Sequence, residues 1–179
     1  MKEIKGFDLI NEAGEFKKLP AGIYVCKITD IKNNEPSEYM EVFLEIEKGE
    51  YAGYFGTQKA QSGVDYSRTI RSYKQNALPF FKAFISAVEK TNKGYVWDWH
   101  EEKLIGKYVI AVFGEEEYYD KNGEIKVAVK VQEFRSGVAY KAGEIKVPPI
   151  KRVKTKPNET MPTATEAQST IDDDDDLPF

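Results

Sequence analysis

The run Asn76-Ala77-Leu78-Pro79-Phe80-Phe81-Lys82-Ala83-Phe84-Ile85-Ser86-Ala87-Val88-Glu89-Lys90-Thr91-Asn92-Lys93-Gly94 is the one convincing helical stretch in this chain of 179 residues. Leu78, Phe81, Ile85 and Val88 recur at +3, +4 and +3, and Phe84 and Ala87 widen the apolar stripe. Asn76 is placed as N-cap of a helix over about 77–92, with Pro79 in the first turn, where its missing N–H costs little. Lys90 and Lys93 suit the negative C-terminal end, and Gly94 is positioned to close the helix as C′. A single helix inside strand-rich sequence makes the strand count on either side decide the fold.

Upstream, Ile23 to Ile31 is rich in β-branched and aromatic types without strict alternation, which predicts a long strand with a bulge or strong coiling. Asn33-Asn34-Glu35-Pro36 is a turn cluster. A clean period of two follows, with Met40, Val42, Leu44 and Ile46 on one face and Glu41, Phe43, Glu45 and Glu47 on the other. Tyr51 to Thr57 reads as a short kinked strand, Gln58 to Asp65 as a loop, and Ser67 to Lys74 as weak strand. Downstream come a strand over Lys107 to Phe113 ended by Gly114, a Glu-Glu-Glu-Tyr-Tyr loop, and an Asn122-Gly123 hairpin signal. Its partner strand places Ile125, Val127, Val129 and Val131 inward and Lys126, Ala128, Lys130 and Gln132 outward, and Gly137 to Lys146 suggests a further hairpin. Three strands, a helix, then two or more strands is the connectivity of an OB-fold, so the expectation is a mainly β, five-stranded OB-like Greek-key barrel with its helix between strands 3 and 4.

Four segments follow from composition: an N-terminal arm over 1–19, a barrel domain over 20–150, a basic step and linker over 151–170, and an acidic tip over 171–179. Pro148-Pro149 closes the domain, and the Pro/Thr/Ala/Glu stretch from Pro157 to Thr170 has too little apolar content to fold. Hydrophobic residues make up 41% and aromatic ones 13%, enough for one core with rings left over for stacking. The charged N-terminus has no apolar signal region and no long apolar run occurs, so a cytoplasmic protein is expected. Cys26, the only cysteine, is expected to be a small buried hydrophobe.

The formal net charge of −4 argues against nucleic acid until it is divided along the chain. Residues 157–179 hold seven acids and no Lys or Arg, leaving 26 basic against 23 acidic residues upstream, a body of +3. Single-stranded nucleic acid is held by cations along its backbone and aromatic planes under its bases. Lys59, Tyr66, Arg68, Arg71, Tyr73 and Lys74 interleave these types and are the first candidates; Lys126, Lys130 and Arg135 are the second. In a strand, Thr69, Arg71 and Tyr73 share one face and Arg68, Ile70 and Ser72 the other. Glu41, Glu45 and Glu47 make the outer face of the second strand acidic, which disqualifies it as the groove unless neighbouring cations outweigh it. Trp97 and Trp99 alternate as strand residues do, and are expected to plug the barrel end in preference to stacking bases.

Asp98, His100, Glu101 and Glu102, or Glu115 to Glu117 with Asp120, invite a metal-dependent nuclease reading. Their spacing matches no metal motif, and neither a Walker pattern nor Gly-x-Gly-x-x-Gly is present. A non-catalytic protein with no cofactor and no metal is expected.

The chain ends Ile171-Asp172-Asp173-Asp174-Asp175-Asp176-Leu177-Pro178-Phe179. Five aspartates cannot fold, yet the run stops at an apolar side chain, a stiff ring and an aromatic beside the terminal carboxylate. That is the makeup of a peptide ligand, with Phe179 for a pocket and Asp172 to Asp176 to steer towards a basic partner. This tip closely resembles the C-terminal tail of bacterial and phage single-stranded DNA-binding proteins, with Leu177 where Ile is common. The run Arg71 to Lys82, with Val88-Glu89-Lys90, Gly94-Tyr95 and Gly114-Glu115-Glu116, resembles a family of phage- and prophage-encoded single-stranded DNA-binding proteins with OB-type domains, over about residues 5–155. The resemblance implies binding without strong sequence preference during phage or bacterial DNA replication and recombination. It also implies recruitment of enzymes through Asp172 to Phe179, and it supplies no catalytic residues. Homo-oligomers are compatible with it. A further expectation is that the tail folds back on the basic groove when DNA is absent. The rival reading is a phage adaptor or inhibitor that does not bind DNA and uses the tail to capture host replication enzymes.

Overall fold

The computed structural model describes residues 17–153. Its frame is a five-stranded antiparallel sheet in the order β3-β2-β1-β4-β5, made of β1 (Gly22–Asn34), β2 (Tyr39–Ile46), β3 (Arg68–Ser72), β4 (Tyr108–Tyr119) and β5 (Ile125–Arg135). Strand β1 is shared. Its first half pairs with β4 from Gly22↔Phe113 to Lys27↔Tyr108, and its second half with β2 from Cys26↔Ile46 to Asn34↔Tyr39. The two ladders overlap at Cys26 and Lys27, and a register shift between Ile28 and Asp30 within the β2 ladder explains why alternation breaks down over 23–31.

Helix α1 (Tyr54–Ser62) overturns the expectation of a kinked strand at 51–57 and a loop at 58–65. Its local signals are poor: Gly53 and Gly56 punctuate it, and its N-cap, Gly53, supplies no side-chain hydrogen bond. The cap comes from another strand. Glu45 on the outer face of β2 accepts from the Phe55 N–H at 3.0 Å and the Gly56 N–H at 2.6 Å, putting a carboxylate where the helix dipole is positive.

Helix α2 (Leu78–Thr91) matches the periodic stretch, with Phe81, Phe84, Ile85, Ala87 and Val88 buried. Leu78 is left at the surface and Phe80 is 75% exposed. Asn76 is not the cap, because a 3-10 turn over Gln75–Ala77 precedes the helix. Closure falls to Asn92 and not Gly94. The Asn92 side-chain amide donates to the Val88 and Tyr108 carbonyls at 2.7 Å each, and its oxygen accepts from the Tyr108 N–H at 2.9 Å, fastening α2 to the start of β4.

Strand β4 does not stop at Gly114. Glu115 to Tyr119 continue the ladder with β5, and the Asn122-Gly123 turn closes the hairpin with Gly123 at φ 80°. Gly114 leaves room for the Gln132 side chain, which crosses over it to donate to the Glu115 carbonyl at 3.2 Å. Since this ribbon runs past the body of the sheet, Ile125 and Val127 stay 56% and 52% exposed, correcting their inward assignment; Val129 and Val131 pack on the core. Beyond Phe113 β4 has no β1 beside it, and Lys151 takes that place, its N–H donating to the Glu115 carbonyl at 2.9 Å. The hairpin expected at 137–146 is instead α3 (Gly137–Lys141), capped by Ser136 and packed on α2 and β4.

One core lies between α2 and the inner face of the sheet, where Ile28, Val42, Leu44, Ile46, Phe84, Val88, Val109 and Ala111 are almost fully excluded from water. Cys26 belongs to it, its thiol pushed up to about 12 by burial. Leu19, at the end of the expected arm, is buried in it too. Trp97 and Trp99 lie in no strand; Trp97 is half-buried and Trp99 79% exposed, so the latter does not plug the fold. Among the described residues no helix is long and apolar enough to cross a membrane.

Because Glu45 replaces a missing local cap, Glu45→Ala is expected to destabilise the domain by about 1–2 kcal/mol. Glu45→Gln, which keeps an acceptor, should cost less in urea denaturation; equal stability of all three proteins would reject the capping role.

Candidate nucleic-acid interface

The curl of the sheet brings its two edge strands towards each other without a ladder between them. A groove of about 980 Å³ separates them, walled by Tyr66 to Arg71 on one side and Val127 to Val131 on the other. Its floor and end are Phe113, Tyr54, Phe55 and Gln58, with Lys18 and Leu19 arriving from the N-terminal side. The Leu19 N–H donates to the Tyr54 hydroxyl at 3.2 Å, seating that segment against α1. The floor is aromatic because rings pack edge to face behind it, Tyr54 on Phe55 at 5.3 Å and Tyr24 on Phe113 at 5.5 Å.

Among the described residues four cations, Lys18, Arg68, Arg71 and Lys130, line this groove, and no carboxylate does. The expected residues Tyr66, Arg68, Arg71 and Lys130 are thus brought together. Tyr66 offers a ring 58% exposed at the wall. Lys130 sits 3.5 Å from Glu116 and over the Tyr118 ring at 6.0 Å. Arg68 donates to Glu41 at 2.8 Å, and Lys27 lies 3.6 Å from Glu47. With Glu45 on α1, every glutamate of the acidic face of β2 has a partner, so that face does not oppose an anion next to it.

Arg71 differs from the other three. Its side chain runs inward from β3, and the guanidinium lies 4.5 Å from the centre of the Phe134 ring on β5. Nη1 donates to the Ile70 carbonyl at 2.9 Å, while Nη2 is buried without a partner among the described residues. Burial pushes its pKa down to about 10, which still leaves it charged at neutral pH. Among the described residues no carboxylate pairs with it. It is a cation in place and uncompensated.

The other candidates lie elsewhere. Lys59 pairs with Asp65 at 2.9 Å. The Tyr73 hydroxyl donates to Asn33 at 2.9 Å while its ring packs on Phe81, so Tyr73 is structural, and Lys74 is exposed past the end of β3. Lys126 pairs with Asp120 at 2.6 Å near the hairpin turn, and Arg135 with Glu133 at 2.7 Å. Asp172 to Asp176, Leu177, Pro178 and Phe179 fall outside the described residues. Sequence reading missed Lys18, assigned to the arm, and Tyr54 and Gln58, assigned to a strand and loop. The doublet Lys17-Lys18 just before Leu19-Pro20 was the available signal.

Several members of the acidic clusters have basic partners, Lys130 for Glu116 and Lys126 for Asp120 among them. Asp98 pairs with Lys103, and His100 lies 3.7 Å from Glu102. Among the described residues, no group of three or more His, Cys, Asp or Glu side chains is placed to hold a metal.

Asp65 orders the entry to β3. It accepts from the Ser67 hydroxyl and, at 3.0 Å, from the Ser67 N–H, and with Lys59 these bonds lower its pKa to about 2. A carboxylate held below its unfolded value stabilises the fold above about pH 4 and loses that contribution as pH falls towards 2. Thermal melts should therefore show Asp65→Asn below wild type at neutral pH, with the gap closing between pH 4 and 2; a gap independent of pH would reject the assignment. Comparison with protein-family models and with curated proteins finds no match to this chain.

Proposed function

We propose that this chain is a non-catalytic single-stranded DNA-binding protein whose DNA runs through the groove between β3 and β5. The observation that carries the reading is Arg71, a buried guanidinium set on an aromatic ring at the edge of a groove lined, among the described residues, by cations and no carboxylate. A phosphate is the ligand such a group lacks, because it accepts charge-assisted bonds from guanidinium N–H groups. Tyr66 and the exposed apolar wall at Ile70 and Val127 offer surface to unstacked bases. None of these contacts reads base edges, so little sequence preference is expected.

The sheet order supports placing the domain with OB-folds. With the helix between β3 and β4, β3-β2-β1-β4-β5 is the order of a five-stranded Greek-key barrel opened at its β3–β5 seam. Each such domain covers about 4–16 nucleotides. The likeness of Arg71 to Lys82 and of the last nine residues to phage, prophage and bacterial single-stranded DNA-binding proteins points the same way. In this reading the body coats exposed strands in replication and recombination while Asp172 to Phe179 recruit other enzymes.

Titration of a fluorescent oligo-thymidine by anisotropy tests it. Binding should be tight in dilute buffer, weaken as salt rises, persist with chelator and leave the strand uncut. Arg71→Met should weaken it about tenfold, the loss of about 1.4 kcal/mol from one charged phosphate contact. The salt slope should flatten by about 0.7. The same substitution removes a buried unpaired charge, so its melting temperature should equal or exceed that of wild type. Lower affinity together with undiminished stability is the signature of a cation kept for a ligand. No binding even at low salt overturns the proposal and leaves the adaptor reading.

A further inference from the structure

The outer side of α2 carries a second groove, of about 710 Å³, which shares no lining residue with the first. Leu78, Pro79 and Ile85 form one wall, Trp97 and Trp99 the other, and Lys82 stands at the surface between them. The indole rings are 6.1 Å apart and tilted by 57°, an open aromatic cleft. Trp99 has a backbone φ of 68°, a conformation that costs a bulky residue on the order of 1–3 kcal/mol. The strain leaves the largest side-chain type in the chain facing water. Two carboxylates are close: Glu89, which lines the groove and keeps its charge, accepts from the Trp97 backbone N–H at 2.8 Å, and Asp98 pairs with Lys103. Lys82 has no acidic partner among the described residues.

We propose that this groove is the seat of the chain's own C-terminal tip, Leu177-Pro178-Phe179, in the same molecule. An aromatic-lined groove is the surface that takes a proline ring, and the neighbouring apolar wall suits Leu177 and Phe179. Lys82 meets the aspartates that precede the tip. Reach is no obstacle, since the 26 residues after Val153 can extend to roughly 90 Å. A tether that exceeds the span presents the tip at an effective concentration on the order of a millimolar, so even a weak contact is occupied. The inference rests on reading the last nine residues as a peptide ligand and not on DNA binding. Parked there, the tip leaves the β3–β5 groove free, contrary to the expectation that it folds back onto that groove.

The chain's two tryptophans both line the groove, so their emission reports on it without a label. Acrylamide, being uncharged, reads access to the rings. Full-length protein should be protected, and Phe179→Ala should raise the quenching constant about twofold by emptying a groove that the tether keeps filled. Lys82→Glu should do the same. Adding excess free peptide of sequence Ile171 to Phe179 to the Phe179→Ala protein should restore protection. Arg71→Met should leave quenching as in wild type. Equal quenching of full-length protein and Phe179→Ala overturns the proposal. So does protection that grows with protein concentration, which assigns the tip to another copy, or release by Arg71→Met, which seats it between β3 and β5. No DNA is involved, so this proposal and the DNA-binding reading fail separately.

Discussion

Strand β1 has to serve two partners at once, and the rest of the architecture follows from how it does so. Thirteen residues are more than either neighbour needs, and the register shift at Ile28–Asp30 lets the strand turn from β4 to β2 without losing the ladder. A bulge adds local twist. Twist in the central strand swings the outer strands round, so β3 and β5, far apart in sheet order, end up facing each other. Cys26, Ile28, Val42 and Ala111 then lie inside the curve, and α2 closes it with Phe84 and Val88. The price is an open seam.

What spans that seam is a charge on a ring. Arg71 reaches from β3 to Phe134 of β5, which holds the two edges in register while leaving a groove beside them. Energetically this is a poor way to finish a fold. A cation–π contact contributes about 2 kcal/mol when desolvated, whereas removing an ion from water costs several kcal/mol. A Leu or Met would bridge the gap without that deficit. Magnitudes that do not favour the guanidinium as a structural element are what support the proposed anionic ligand. The surroundings agree: Arg68 cancels Glu41, Glu45 is turned onto α1, and among the described residues the groove lining is free of carboxylates.

How far the sequence could be read depends on where each signal resides. Strand β2 and helix α2 carry theirs within themselves, as a period of two through Met40 to Ile46 and a stripe through Phe81 to Val88, and both were legible. Helix α1 carries almost none; its cap is Glu45, nine residues before its first residue in sequence and on another strand, so only the folded chain supplies it. Gly114 reads locally as a terminator, yet it admits Gln132 and the strand continues. Tyr73 shows the limit for sites. By type and spacing it belongs with Arg71, but its hydroxyl is taken by Asn33 and its ring by Phe81. Interleaved charge and aromaticity marked a region of which Tyr66, Arg68 and Arg71 line the groove, joined by Lys130 from β5, but not which members turn towards it.

The two grooves also make sense of the charge split between body and tail. A cationic groove beside a tethered acidic segment is prone to self-occupation, since every aspartate competes with a phosphate at short range. Placing the apolar surface that suits Leu177, Pro178 and Phe179 on the far side of α2, with a single free lysine, separates the two by chemistry. The β3–β5 groove selects for charge with rings, and the α2 groove for rings with little charge. A tip that ends in Leu-Pro-Phe is drawn to the second by the very residues that distinguish it from a plain acidic run. In the proposed arrangement the aspartates are attracted to the cationic groove as any acidic run would be, and the three apolar residues are what favours the α2 groove instead.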